Sequence, residues 1–571
     1  MNAPVISIER VGNIPVILYT LQKTGFIDLL NEAFPAHKNW DGLPIGETVA
    51  VWICYLLTQH DHRMCKVEGW IRSRGQIFRV FFKKPIFKKY FTDDRLAKIL
   101  DKFSVSEDWN TFENRFNESF IRVYGIELDC IRIDMTTANS GGIVTDEGIL
   151  QFGNTKDDPD RPQVKIALAT LDPLGIPLTV MVVPGNSADD PLYVPIIKRI
   201  FASTAKKGLL FLGDCKMGAI LTRCFVARNG SYYVCPLSEV SHSSEAISKA
   251  KQSFSESNGL FTPVFREYEN GEIKCIAEGF EETIIRSIQV DEKIISWSER
   301  LVYAKSFVHE KKELAKLDSD IERAREEILR MNIRKQGKKI FQNLTEVQAK
   351  VDSILKKYNV RDVFSVSIEE TSIPEPKGKY GNKPQRIIES SLFRVTPHVE
   401  GSAYQKAKVL FGWRVYATNK AAEDLSFENV VLSYRDQFII EHEFHRLKGV
   451  CLSLTPIYIQ KDNRIDGLVK FLTIALRVLG LLEIPIHNSI KKRGASLDGL
   501  FEYNPKKSLD KPKAERILEF FDDIHLSTVE IGNQIYHTIT GLSAKHLEIL
   551  ALMNIGIEAY EILGKIQRSE I

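Results

Sequence analysis

The sequence predicts an α/β fold, preceded by a helical domain and interrupted by a large mixed β and helical insertion. Three observations lead there. Apolar residues recur at three and four up to about residue 125, which is the helical period. From about 128 the texture changes to short β-rich runs at 130–134, 164–171, 178–183 and 209–212, with a helix-like stretch at 191–202 before the last. Strong helical periodicity then returns at 436–449 and 464–482, after an unlike block at 230–430. At 571 residues the chain is too long for one hydrophobic core, so several domains are expected.

In the first domain, 14–21, 26–33, 45–57 and 94–103 read as helices, and Asp93-Asp94 mark a helix start. Just before that start lies Lys83-Lys84-Pro85-Ile86-Phe87-Lys88-Lys89-Tyr90. Basic residues interleaved with aromatics suit a phosphate backbone and its bases, or a solvated loop with Phe87 tucked into the core. In the second domain the order is strand, strand, strand, helix, strand. Its first and fourth strands end in Asp134 and Asp214. An RNase H-like sheet places acids on adjacent strands in this way, so the order suggests that fold by analogy.

Within the insertion, 232–235, 262–267, 273–277, 363–368 and 413–417 look like strands. Leu314, Leu317, Ile321, Ala324, Ile328 and Met331 keep a three-four alternation, as do Leu344, Val347, Val351, Ile354 and Tyr358. These make a helical hairpin at about 309–358, with a basic tip at 334–339, and its role is a brace or a surface for a second protomer. The region beyond 486 carries the basic clusters Lys491-Lys492-Arg493, Lys506-Lys507 and Lys511-Pro512-Lys513, then a helical cap at 542–563.

Composition narrows the function classes. The chain is 44% hydrophobic and 26% charged, with a formal net charge of +3, ordinary for a folded soluble protein. The eight cysteines form no C-x-x-C pair and no zinc-like spacing, so reduced thiols are expected. No apolar stretch is long and uncharged enough for a membrane; Lys470 and Arg477 interrupt 468–482. Residues 1–10 lack a secretion-signal pattern. A cytoplasmic location is expected.

The chemistry-bearing residues are acids. The run Tyr434 to Lys448 reads as one helix, with Glu441 and Lys448 two turns apart on one face. Asp134 and Asp214 on adjacent strands, with Glu441 on a packed helix, make three carboxylates for hard cations and phosphoryl chemistry. Lys448 suits a phosphate as a point charge, and Tyr434 can hydrogen-bond one. Taken singly, an Asp after a strand also caps turns, and a Glu…Lys pair also makes a solvated helix face. Glu443 points to nearly the opposite face from Glu441, at ~100° per residue. Asp157, Asp158, Asp189 and Asp190 are rival or supporting acids. Lys156 and Arg161 are phosphate candidates or solvated loop residues. Trp297 and Trp413 are candidates for base stacking or for core packing.

With those residues in place, the chain resembles the DDE transposases of bacterial insertion sequences, in the branch with a Tyr-x2-Arg-x3-Glu-x6-Lys signature. Tyr434, Glu441 and Lys448 stand at the required spacing, while Gln437 occupies the arginine position and Arg435 lies nearby. Ile133-Asp134-Met135-Thr136-Thr137 and Gly213-Asp214-Cys215-Lys216-Met217-Gly218 are similar to the two aspartate segments. Gly153-Asn154-Thr155-Lys156-Asp157, Pro184-Gly185-Asn186-Ser187-Ala188-Asp189 and Gly412-Trp413-Arg414-Val415 continue the ordered set. The resemblance implies an N-terminal helical DNA-binding domain at 1–127, an RNase H-like core at 128–235 and 431–485, an insertion at 236–430 and a C-terminal helical region at 486–571. It implies catalysis and metal binding by Asp134, Asp214 and Glu441, with two Mg²⁺ or Mn²⁺ ions. DNA phosphates would be held by Tyr434, Arg435, Gln437, Lys448, Lys156 and Arg161. The reaction would be cut-and-paste transposition, 3′-end cleavage then strand transfer, by a homodimer on paired terminal inverted repeats and target DNA. The alternatives are a structure-specific endonuclease and a non-catalytic DNA-binding descendant.

Overall fold

The computed structural model describes residues 5–154, 158–240, 242–268, 271–333, 341, 343–377, 386–531 and 534–564. The chain is mixed α/β and divides into two compact units. The first comprises Met1–Cys235, Ile288–Ile295 and Ser433–Ile571; the second comprises Pro236–Ser287 and Ser296–Leu432.

The first unit begins with helices because its apolar residues recur on one face. Helix Ser106–Tyr124 carries Trp109, Phe112, Phe116 and Phe120 at steps of three and four, and all four are buried. Their rings meet one another, Phe26 of helix Phe26–Ala33 and Phe34 just past its end, with Phe26 edge-on to Phe116 at 5.2 Å. Gly125, at φ 60°, ends the helix in the left-handed conformation that a side chain disfavours. The spine of the unit is the 32-residue helix Asp462–Arg493, buried along most of its length. Trp52 stacks on its Phe471 with centroids 3.9 Å apart. Its two charges that break the apolar pattern are internal: Lys470 pairs with Asp466 at 2.8 Å, and Arg477 with Glu113 at 2.5 Å. Arg477 also donates to the carbonyls of Pro177 and Leu178, which ties helix, sheet and the aromatic helix together. No helix among the described residues is long and apolar enough to cross a membrane.

Five strands of this unit lie in the order Pro177–Pro184, Gln163–Leu171, Cys130–Asn139, Leu210–Leu212, Tyr232–Pro236. The first three are antiparallel neighbours and the last three parallel ones, so the sheet is mixed. The strand expected at 130–134 continues to Asn139. Met135 to Asn139 stay paired with Gln163 to Ala167, and the β-branched Thr136 and Thr137 favour the extension. Asp134 therefore sits mid-strand, opposite Leu168, not at a strand end.

Both ends of the chain depart from the helical expectation. Val5–Arg10 pairs antiparallel with His525–Ile531, which pairs with Gln534–Ile539. Leu526 and Thr528 alternate inward while their neighbours face out, but the partners are some 500 positions apart, beyond the reach of any local period. Phe87 is half exposed, and Ile86 and Tyr90 fill the core instead. Lys88 and Lys89 pair with Glu68 and Asp41.

In the second unit, Trp413–Thr418, Lys293–Ser306, Ile273–Val290 and Thr262–Glu267 run in that order. Helices Phe307–Leu329 and Leu344–Lys357 form the hairpin, with Ile321, Ala324 and Ile328 buried with Val347, Val351 and Ile354. A two-stranded ribbon, Phe364–Lys377 with Arg386–Val399, adds Phe364, Phe393 and Val395 to that core. The expected tip at 334–339 lies outside the described residues.

Candidate active site

The site starts from one strand. Asp134 and Arg132 stand two residues apart on Cys130–Asn139 and so face the same way. Arg132 is fully buried and must find partners there. Its Nε and Nη2 donate to Asp172 Oδ1 at 3.0 and 2.8 Å, and Nη2 donates to the Ser433 carbonyl at 2.9 Å. That last bond reshapes the element expected to be one helix. Ser433 offers its carbonyl to Arg132, and the Gln437 N–H bonds Tyr434 O at 3.1 Å instead of turning back four residues. Helix Phe427–Arg435 ends there, a turn holds Asp436 and Gln437, and a second helix runs Phe438–Lys448.

The turn brings Gln437 inward. Its Nε2 donates to Asp134 Oδ2 at 3.1 Å, and its Oε1 accepts from Arg132 Nη1 at 3.3 Å. Gln437 thus bridges a carboxylate and a guanidinium. Asp134 Oδ1 accepts from the Met135 N–H at 2.8 Å.

Asp214 follows strand Leu210–Leu212 by two residues, next to the Asp134 strand in the sheet. Its Oδ1 accepts from the Tyr193 hydroxyl at 2.7 Å and from the Lys216 N–H at 2.9 Å. Tyr193 opens helix Tyr193–Thr204 and is fully buried. Glu441 is exposed in the first turn of Phe438–Lys448, where a carboxylate also suits the helix dipole.

Electrostatics links the three acids. Burial raises the Asp134 carboxyl; the Met135 N–H and Gln437 pull it down, while the charges of Asp214 and Glu441 push it up, to about 7. Residues 134, 214 and 441, far apart in the chain, are thus electrostatic neighbours. The Tyr193 hydroxyl is raised well above its ordinary range, first by burial and then by the charges of Asp214 and Asp134, so it stays a donor. Among the described residues no three His, Cys, Asp or Glu side chains come close enough to enclose an ion by themselves. The donor set still fits a hard cation: Mg²⁺ keeps several waters and takes only one or two carboxylates.

Behind Glu441, the opposite helix face is buried. Arg446 meets Glu443 at 3.1 Å, Glu515 at 2.8 Å, and Glu483 of the long helix. Burial lifts Glu443 to about 7 against the pull of Arg446, with Glu483 adding to the rise. Glu441 out and Glu443 in is the helical geometry expected from their spacing.

Other residues fall as follows. Tyr434, Arg435 and Lys448 are half-buried, with Arg435 closing the helix before the turn and not sharing one with Glu441. Arg161 is exposed and paired with Asp158 at 3.1 Å. Lys156 and Asp157 lie outside the described residues. Asp189 is held by Lys165 at 2.5 Å and Asp190 lies 3.8 Å from Lys216. Trp413 is buried against Phe261 and Phe280; Trp297 is half-buried on its strand. Sequence reasoning missed Arg132 and Tyr193. An arginine inside an apolar strand was a usable signal for the first; nothing local marks the second.

A family model described as "Transposase DDE domain" matches residues 133–477. The cryo-EM structure of a piggyBac transposase synaptic complex with hairpin DNA aligns at a TM-score of 0.34 and 9% identity, covering 88% of this chain and 78% of that chain. A search of curated proteins finds no match.

Proposed function

The chain belongs to the transposase DDE domain family, and from that premise we propose that it is a metal-dependent DNA transposase of the cut-and-paste type. Its catalytic acids are Asp134, Asp214 and Glu441, on an RNase H-like core formed by 128–235 and 431–485. The observation that carries this reading is the Asp134 carboxyl, raised by burial and then by two acids brought from distant parts of the chain. A desolvated carboxylate that feels the charge of other acids is costly to keep ionised unless a cation is to be held, and such groups cluster at functional sites.

Mg²⁺ or Mn²⁺, two ions per site, would be held by these three carboxylates and would supply charge neutralisation at the phosphate, an acidified attacking water and a stabilised leaving oxygen. The protein's own part is positional. Gln437 fixes the Asp134 carboxylate through Arg132, and the Met135 N–H holds its other oxygen. Lys448, two turns beyond Glu441 on the same helix, would hold a DNA phosphate, with Tyr434 as a second donor. The departure from arginine at 437 has a local reason: a second cation there would face Arg132, whereas the glutamine donates to one neighbour and accepts from the other. The partners are the element's terminal inverted repeats and a target duplex, worked on by a homodimer of the insertion-sequence branch. The protein acts at the nucleoid, and residues 1–127 read the ends.

The test is alanine at Asp134, Asp214 or Glu441. With labelled end duplex and Mg²⁺, each variant should lose strand cleavage by at least a thousandfold while still binding the duplex. Undiminished cutting by all three refutes the site.

A further inference from the structure

Asp214 is held asymmetrically. Both of its hydrogen bonds land on Oδ1: the Tyr193 hydroxyl at 2.7 Å and the Lys216 N–H at 2.9 Å. A carboxylate oxygen has two lone-pair directions, so Oδ1 is fully engaged by two donors and Oδ2 is left. The tyrosine is built in. It is fully buried at the start of helix Tyr193–Thr204. Its ring reaches the aspartate because residue 213 is glycine; a Cβ there would stand 3.0 Å from the ring and 2.5 Å from Met217 Sδ. Lys216 donates from the turn that follows the strand, so the carboxylate is gripped from two elements at once.

We propose that Tyr193 is a positioning residue that makes Asp214 a one-oxygen ligand, offering Oδ2 alone to a divalent cation. The inference rests on the metal-site reading above and refines it. Its consequence is selectivity. Mg²⁺ requires near-ideal octahedral geometry and dehydrates reluctantly, so it favours single-oxygen carboxylates. Ca²⁺ accepts six to eight oxygens and takes carboxylates through both. A phenol occupying Oδ1 denies Ca²⁺ that second contact and costs Mg²⁺ nothing. The hydroxyl also fixes the carboxylate plane, as outer hydrogen-bond partners of metal ligands do.

The test is Tyr193→Phe in the full-length protein, which keeps the ring in its slot and removes only the donor. Mg²⁺ and Ca²⁺ alone are titrated by calorimetry into the metal-free wild type and variant. The expected result is a Mg²⁺ affinity about tenfold lower, with the Mg²⁺/Ca²⁺ affinity ratio shifted about fivefold toward Ca²⁺. A ratio that does not move overturns the proposal while leaving the metal site standing. No binding of either ion by the wild type overturns both. A second measurement does not use Tyr193→Phe. In the infrared difference spectrum of wild type against Asp214→Asn with Mg²⁺, the wide separation of the two carboxylate stretches marks one-oxygen ligation. A narrow separation overturns the assignment.

Discussion

A carboxyl lifted to about 7 makes Asp134 expensive to keep in the metal-free fold. Its folded value lies above the ordinary 3.8, so the folded chain binds the extra proton between those values. The penalty is absent below pH 4, grows as pH rises and is complete above about 7. At ~1.4 kcal/mol per pKa unit, a rise of about three units caps the cost at ~4 kcal/mol, and the residual exposure of the side chain reduces it. Asp134→Asn should therefore stabilise the metal-free protein by about 1–3 kcal/mol at pH 8, have no effect at pH 4, and abolish cleavage. Thermal melts of both proteins at the two pH values check this; a variant that melts no higher at pH 8 contradicts it. The three proposed acids stand out in the sequence because two follow apolar strand-like runs and the third lies at helical spacing from a lysine. Tyr193 was not legible, since its bond to Asp214 joins a helix start to a loop that no period connects. Gln437 read as a phosphate contact because its spacing fits the signature; only the fold turns it onto Asp134.

Helix Phe438–Lys448 owes its seat to one guanidinium. Arg446 serves Glu443, Glu483 and Glu515, three acids from three elements. Removing the cation leaves the acids crowded, which typically costs 3–5 kcal/mol for a buried pair. Arg446→Leu should lose about that much in urea unfolding, and adding Glu443→Gln should restore part of it by deleting one stranded charge. Full stability in the single variant would show that the helix is seated by its apolar face alone. The helix itself was legible over 438–448, from Ile440, Phe444 and Leu447. Its break at 436–437 was not, because the cause is Arg132 reaching across from the sheet to the Ser433 carbonyl. Strand Cys130–Asn139 was read five residues short for a like reason: its last residues are mixed in polarity, and their pairing with the neighbouring strand holds them extended.

Each of the two units has its own core. In the second, Ile321, Ile328, Val347, Val351, Ile354, Phe364 and Phe393 pack together. In the first, the aromatic helix and the spine Asp462–Arg493 do so. Chains built this way depart from two-state melting. Calorimetry of the full chain should resolve two transitions, and Val351→Asp, which buries a charge in the hairpin core, should lower one of them by several degrees and leave the other. A single transition moving as a whole would mean that the units melt together. The hairpin was legible from its two runs of alternating three-four spacing. The sheet built by Val5–Arg10 with His525–Ile531 was not, since neither strand has a partner within reach of a sequence window.

That pairing of first and last segments sets a schedule. On the ribosome the opening strand waits for a mate that is made almost last, on the order of a minute later at ~10 residues per second. Until then a nascent copy has an unfinished edge, and before Glu441 emerges it has an incomplete trio of acids. The site proposed above is therefore incomplete until residue 441 has been made.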